Sequence, residues 1–254
     1  MTLPPPLRGL RAAFVFLTRI PVGGFPYRPD DFRWAAAYFP VVGACVGALA
    51  GGVAVLMRPA GPWPAALLAL GASMLLTGAF HEDGLADTAD ALGGAFDREK
   101  LFAILKDSRV GSFGAAALFV VLALRAALLA RLIDDAVLAC VLAGALARTP
   151  PVIMMAALPY VTNDAASRSR QLTRGGARPA IGALGFATLV LAAAWSWGVS
   201  PARLGALVVA LAALSALCVW RFVVRAGGLT GDFLGATEQL GECVVGLVLV
   251  WGLP

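Results

Sequence analysis

Four carboxylates, Glu82, Asp83, Asp87 and Asp90, stand within nine residues of a sequence that has only 15 acids in all. Asp83, Asp87 and Asp90 fall at i, i+4 and i+7, so a helix would carry them on one face. Three carboxylates placed this way repel one another unless a cation sits between them. All-oxygen ligation suits magnesium or manganese and gives zinc or copper little to hold. His81 opens the segment and is the chain's one histidine, which excludes any multi-histidine metal centre. A solvated acidic loop at the end of a membrane span would need no glycines, and Gly84, Gly93 and Gly94 therefore favour the metal reading.

Two further motifs carry chemistry. Lys106-Asp107-Ser108-Arg109-Val110-Gly111-Ser112-Phe113-Gly114 combines a point charge and a forked donor, both suited to phosphate oxygens. Gly111 and Gly114 would let backbone N–H groups reach an anion at a helix N-terminus. Cytoplasmic anchoring explains Lys106 and Arg109 alone, but not Asp107, Ser108 and the glycines beside them. Near the other end, Gly227-Gly228-Leu229-Thr230-Gly231-Asp232-Phe233-Leu234-Gly235-Ala236-Thr237-Glu238 surrounds Asp232 with glycines, and Glu242 follows Glu238 at i+4. Carboxylates from two loops meeting across divalent cations, with cationic side chains nearby, is the arrangement phosphoryl transfer uses.

The elements that position these groups are membrane helices. Hydrophobic residues make up 60% of the chain and charged residues 14%, with mean hydropathy +0.84; soluble domains are about a quarter charged. About seven apolar segments are long enough for helical spans: Ala35–Met57, Trp63–Phe80, Phe113–Leu132, Ala136–Leu158, Ile181–Val199, Leu204–Val224 and a short one near Cys243–Leu253. The expected fold is an all-α polytopic membrane protein, one catalytic domain over 1–254. Residues 1–33 form an amphipathic N-terminal segment, with a helix over Leu7–Ile20 lying in the interface, and residues 81–112 and 225–242 form active-site loops. Cys45, Cys140, Cys218 and Cys243 all lie in apolar segments, which indicates neither a disulfide framework nor a thiolate metal site.

Charge asymmetry orients the chain. With the N-terminus cytoplasmic, the basic residues of 8–33, 98–109, 168–178 and 221–225 all lie inside, against Arg58, Arg131 and Arg203 outside. Every acid except Asp134 and Asp135 lands on that inner face too, which favours an enzyme site at the surface over a transporter site at the midplane. The net charge of +5 thus reflects basic inner loops and not a nucleic-acid partner. Arg125 and Arg148 sit inside spans with no acid expected at their depth. Arg125 would snorkel or find a carbonyl; Arg148 precedes Pro150-Pro151, a helix break that could open a cavity around its guanidinium.

HEDGLADTADALGG, KDSRVGSFG and GGLTGDFLGATEQLGE, with FLTRIP at Phe16–Pro21, occur in this order over nearly the whole chain, and together they resemble the cobalamin synthase family, the adenosylcobinamide-GDP ribazoletransferases. Ala91 stands where that family's Asp-Gly pair is expected, and the segment Arg168–Arg178 is richer in arginine than is usual there. The resemblance implies a bacterial cytoplasmic (inner) membrane enzyme that joins α-ribazole, or its 5′-phosphate, to adenosylcobinamide-GDP with release of GMP. It implies magnesium, with manganese as a substitute, held by Glu82, Asp83, Asp87, Asp90 and Asp232. Arg19, Lys106, Ser108, Arg109, Gly111 and Arg148 would meet substrate phosphate, and His81 or Asp107 would serve as base beside Asp83 and Asp87 in the catalytic set. The partners are the two substrates, membrane lipid, and either a second copy of the chain or other cobalamin-pathway enzymes.

Two other readings compete. Asp83-Gly84-Leu85-Ala86 echoes the Asp-Gly-x-x-Ala start of CDP-alcohol phosphotransferases, enzymes of phospholipid synthesis, but Asp87 stands where they carry arginine. A small-molecule permease would show an internal repeat, and none is evident.

Overall fold

The computed structural model describes residues 5–23, 29–162, 172 and 175–252. Arg28, Arg168, Arg170 and Arg174, which the charge count assigns to the inner face, lie outside the described residues. The protein is an all-α, multi-pass membrane protein. Among the described residues six helical stretches are long and apolar enough to cross a bilayer, and seven if one sharply bent pair counts as a single span.

Helix α1 (Pro5–Leu17) is amphipathic and buries Ala12, Ala13 and Leu17. It packs on α2 (Pro29–Ala35), which runs through one 3-10 turn into α3 (Phe39–Met57). Arg8 pairs with the buried Asp31 at 3.2 Å, fastening α1 to α2. α3 lies against α8 (Ala136–Ala147) along Gly43, Gly47 and Gly51. A side chain at any of the three would run into the α8 backbone, at Gly144, Cys140 and Val137 in turn. Small residues at this spacing let two spans approach to backbone contact, which is how helices gain packing where no hydrophobic drive exists.

α4 (Pro62–Thr77) and α5 (Phe80–Gly94) form the bent pair, turned by 92°. Gly78 and Ala79 both take left-handed backbone at the corner, with φ of +71° and +55°. The Arg19 N–H donates to Leu76 O at 2.7 Å and its guanidinium lies over Gly78, where a Cβ would collide with it. After α6 (Arg98–Ile104), capped by Asp97 onto Lys100 N, come α7 (Ser112–Arg131), then α8 and α9 (Thr149–Ala157), the last two forming one 25-residue stretch from Ile133 to Ala157. α5 lies along the first half of α7, with Asp90 at Gly114, Leu85 near Val121 and Glu82 at Arg125. Pro150 and Pro151 sit in the first turn of α9, where a missing N–H leaves no bond unmade. α10 (Ala177–Ser196), α11 (Pro201–Ala226) and α12 (Gly231–Val250) complete the bundle.

Helices stand where loops are expected. Most of 81–112 is α5 and α6, and the glycine-rich stretch after Thr230 is the first turn of a 20-residue span, not a loop before a short one. Thr230 starts it by accepting from Phe233 N at 3.2 Å. The α12 glycines are packing positions: Gly235 lies against His81 and Gly84, Gly241 against Ala147 and Gly246 against Leu128. Polar contacts mark the two ends. Arg58 pairs with Asp134, and Arg203 donates to Trp251 O at 3.2 Å, at one end. At the other, Val161 N donates to Leu229 O and Leu229 N to Pro159 O, joining the α9 exit to the α11–α12 turn.

Candidate active site

The acidic end is built by α5 crossing the N-terminus of α12. Gly84 makes the crossing close: a side chain there would meet the Asp232 backbone oxygen at 3.0 Å. Asp83 and Asp87, one turn apart on α5, are thereby brought to Asp232 on α12. Asp87 registers this convergence. Its carboxyl is pushed up to about 6, first by partial burial and then by the charges of Asp83, Asp232 and Asp90. Among the described residues no three His, Cys, Asp or Glu side chains already stand in a closed metal-binding arrangement. The donor set nevertheless fits magnesium, which keeps several waters and takes only one or two protein carboxylates together with substrate phosphates.

Asp90 is placed differently from its three neighbours. Its carboxylate accepts from Gly111 N at 2.7 Å and from Gly114 N at 2.8 Å, capping α7 across 21 residues of sequence. Both glycines are required, since a Cβ at either would strike that carboxylate. The N–H groups expected to receive a phosphate thus hold an internal anion, which satisfies the same orphan donors of a helix N-terminus.

Glu82 points away from the acidic face. It is 4% exposed, lies 3.4 Å from Arg125 Nη1 and accepts from Gln239 Nε2 at 3.3 Å. The pairing extends through the bundle. Arg125 also donates to Gln239 Oε1 at 2.7 Å and pairs with Glu242, while Arg148 pairs with Glu238 at 2.8 Å and lies 3.4 Å from Glu242. This corrects the expectation that both arginines lack acids at their depth and that all polar groups are peripheral. Glu238, Gln239 and Glu242 are helical, so the i, i+4 spacing of the two acids aims both inward. That spacing was the available signal; the glycines before it disguised the helix.

His81 is buried beside the corner, its ring edge-on to Phe80 and its Nδ1 3.8 Å from Glu238 Oε2, too far for a hydrogen bond. Lys106, Ser108 and Arg109 are exposed on the segment between α6 and α7. Arg109 closes its fork on Asp107, with Nε at 2.9 Å and Nη2 at 2.6 Å. The Arg109 side-chain and backbone hydrogen bonds hold the Asp107 carboxyl down to about 2, which makes it a weak base. Arg19 lies at the α4–α5 corner, on the acidic end.

Residues 9–250 match the family model described as cobalamin-5-phosphate synthase, CobS. The chain is 40% identical over 248 residues to the adenosylcobinamide-GDP ribazoletransferase of Leptothrix cholodnii, covering 94% of this chain and 92% of that protein. It is 37% identical to the protein of that name from Shewanella piezotolerans (94% and 93% covered) and 35% identical to that from Vibrio cholerae (94% and 91%). No solved structure matches it. A match over nearly the full length, to a family model and to these relatives alike, shows that the chain belongs to the cobalamin-5-phosphate synthase family.

Proposed function

We propose that the chain joins ribazole, as α-ribazole or its 5′-phosphate, to adenosylcobinamide-GDP, releasing GMP and giving the cobalamin or its 5′-phosphate. The observation that carries this reading is the convergence of Asp83 and Asp87 with Asp232, from two helices that cross at Gly84. The ribazole hydroxyl attacks the phosphorus next to cobinamide, and the bond from that phosphorus to the GMP oxygen breaks. Asp83, Asp87 and Asp232 would hold magnesium, which when bound offsets the charge of the diphosphate and of the departing GMP. Asp87, half-buried between Asp83 and Asp232, is our assignment for the acceptor of the hydroxyl proton. Lys106, Ser108 and Arg19 stand at this end to meet phosphate oxygens, joined by Arg109 when its fork leaves Asp107. Asp90 holds α7 and the segment carrying Lys106 in place and takes no part as a ligand. Glu82 belongs to the buried pairing and not to the metal.

The acidic end faces the cytoplasm of a bacterial inner membrane. Support comes from the described cations: Arg8, Arg11, Arg19, Arg33, Arg98, Lys100, Lys106, Arg109, Arg178, Arg221 and Arg225 fall to this end by chain order, against Arg58, Arg131 and Arg203 at the other. The test is GMP release by the purified protein in nanodiscs, with adenosylcobinamide-GDP and α-ribazole, with and without magnesium. Magnesium-dependent GMP matched by a new cobalamin species is expected; no turnover from folded protein would defeat the proposal.

A further inference from the structure

On the flank of the bundle α5, α11 and α12 leave a groove of about 420 Å³ between them, within the roughly 300–1,000 Å³ that ligand sites occupy. Its α5 wall is Leu85, Thr88, Ala89 and Leu92, which recur at i, i+3, i+4 and i+7 and so form one stripe. That stripe lies on the side of α5 opposite Asp83 and Asp87, so the groove is no part of the carboxylate site. The facing wall is α11, the most exposed of the six spans, through Leu217, Trp220 and Arg221, and α12 contributes Ala236 and Leu240. Leu217 is 57% exposed and Trp220 58%, so the groove opens sideways, to the bilayer.

Arg221 is the informative member. Arg225 donates to Leu92 O and Ala95 O, fastening the end of α11 to the end of α5. Arg221 stands one turn earlier on α11, about 5.4 Å deeper, with Trp220 beside it at the depth where indoles meet lipid headgroups. Among the described residues no acid and no acceptor meets its guanidinium. Arg203, the arginine of a comparable groove at the other end, is by contrast taken by Trp251 O. The rim at the end of α11 carries Arg98 and Arg225 against Asp97, so with Arg221 it is net positive. Of the other polar groups in the lining, Cys218 faces Thr237, and Thr88 has a buried hydroxyl without a partner, which one turn about χ1 presents to the groove.

We propose that this groove binds one anionic glycerophospholipid, with its phosphate at Arg221, its glycerol esters at the level of Thr88 and an acyl chain along Leu85, Leu217 and Leu240. A free phosphate has no use for leucine walls, and a nucleoside would bury its hydroxyls against them without partners. A second copy of the chain would have to bring its own anion to Arg221. A lipid carries chain and anion in one molecule and comes from the phase onto which the groove opens. The positive rim favours a lipid with no cation in its headgroup over a zwitterionic one. Bound there, the lipid lies against the back of the helix that carries Asp83 and Asp87 and supports α5 without touching the reacting atoms. The inference does not depend on the reaction proposed above.

The test is photolabelling of the whole protein in detergent, titrated with phosphatidylglycerol that carries a diazirine on its acyl chain. In wild type, label is expected on residues 85–92 of α5, 217–222 of α11 and 236–240 of α12. Unlabelled phosphatidylglycerol should compete for it better than phosphatidylcholine. One arginine near a bilayer surface changes lipid affinity about fivefold, so Arg221→Gln should need about five times more lipid for half-labelling. Arg178→Gln, which removes an exposed arginine of α10 at the same end, should need no more than wild type. Label spread over every span, equal competition by phosphatidylcholine, or equal affinities of the two variants overturns the proposal. So does label lost on adding α-ribazole, which gives the groove to substrate, or an unlabelled groove in protein that cross-links through α11, which gives it to a second copy.

Discussion

Arg125→Met removes a charge from the bundle while keeping much of the side chain's length and apolar stem. Arg125 is 7% exposed and makes three contacts: Gln239 at 2.7 Å, Glu82 at 3.4 Å and Glu242. The substitution leaves two carboxylates facing each other without their shared cation. Breaking a buried pair from one side destabilises by about 3–5 kcal/mol, chiefly because the surviving charge stays desolvated. For a chain of this size each kcal/mol lowers Tm by about 2–4 °C, so a drop of about 6–20 °C is expected. The assay is thermal unfolding of detergent-purified protein followed by a thiol-reactive dye, which the buried Cys218 and Cys243 meet only on unfolding. Adding Glu82→Gln to Arg125→Met should recover more than half of the loss, since Glu82 is the carboxylate stripped of its cation while Glu242 keeps Arg148. A Tm within about 2 °C of wild type for Arg125→Met alone would refute the argument that this pairing holds the bundle.

Asp83→Asn and Asp87→Asn should each lose at least about a hundredfold in GMP release, as one carboxylate fewer remains to hold magnesium, while the protein still inserts and folds; near-normal turnover in both sinks the metal assignment. Asp90→Asn turns one acceptor into a donor facing a glycine N–H and should cost about 1–3 kcal/mol locally. Trypsin should then cut faster after Lys106 and Arg109, and unchanged cleavage would remove the capping role. The raised Asp87 carboxyl makes the metal-free protein less stable as pH climbs from about 4 to about 6, because ionisation is disfavoured only in the folded state. Magnesium should therefore raise Tm more at pH 7.5 than at pH 5, and an equal rise at both would contradict it. Gly144→Ala places a methyl on the Gly43 backbone and should lower Tm by several degrees, as compared by the same dye assay.

Composition and hydropathy make the bundle legible, because about 20 apolar residues in a row have few fates other than a span. The i, i+4, i+7 spacing by itself places Asp83 and Asp87 on one helical face. What stays hidden in the sequence is the partner of each polar group. Asp90 shares that spacing but its carboxylate is taken by Gly111 and Gly114, a contact the local pattern cannot reveal. Glycine is the chief source of error. At Gly235 it reads as turn chemistry, whereas in a membrane bundle it also marks where two helices must touch. The same misreading hides Glu238 and Glu242 from Arg148 and Arg125, since acids in a loop cannot pair with arginines inside spans.

The pairing of Arg125 and Arg148 with α12 sets an order on how the chain can be made. Both arginines enter the bilayer on α7 and the α8–α9 stretch, nearly a hundred residues or more before Glu238, Gln239 and Glu242 leave the ribosome. Until the final span arrives, two guanidiniums wait in the membrane with only Glu82 and main-chain carbonyls to receive them. α12 is thus the helix that neutralises the two before it. A nascent chain stopped short of α12 would be recognisable to membrane quality control by its unmatched charges, so only a chain that includes α12 would be spared.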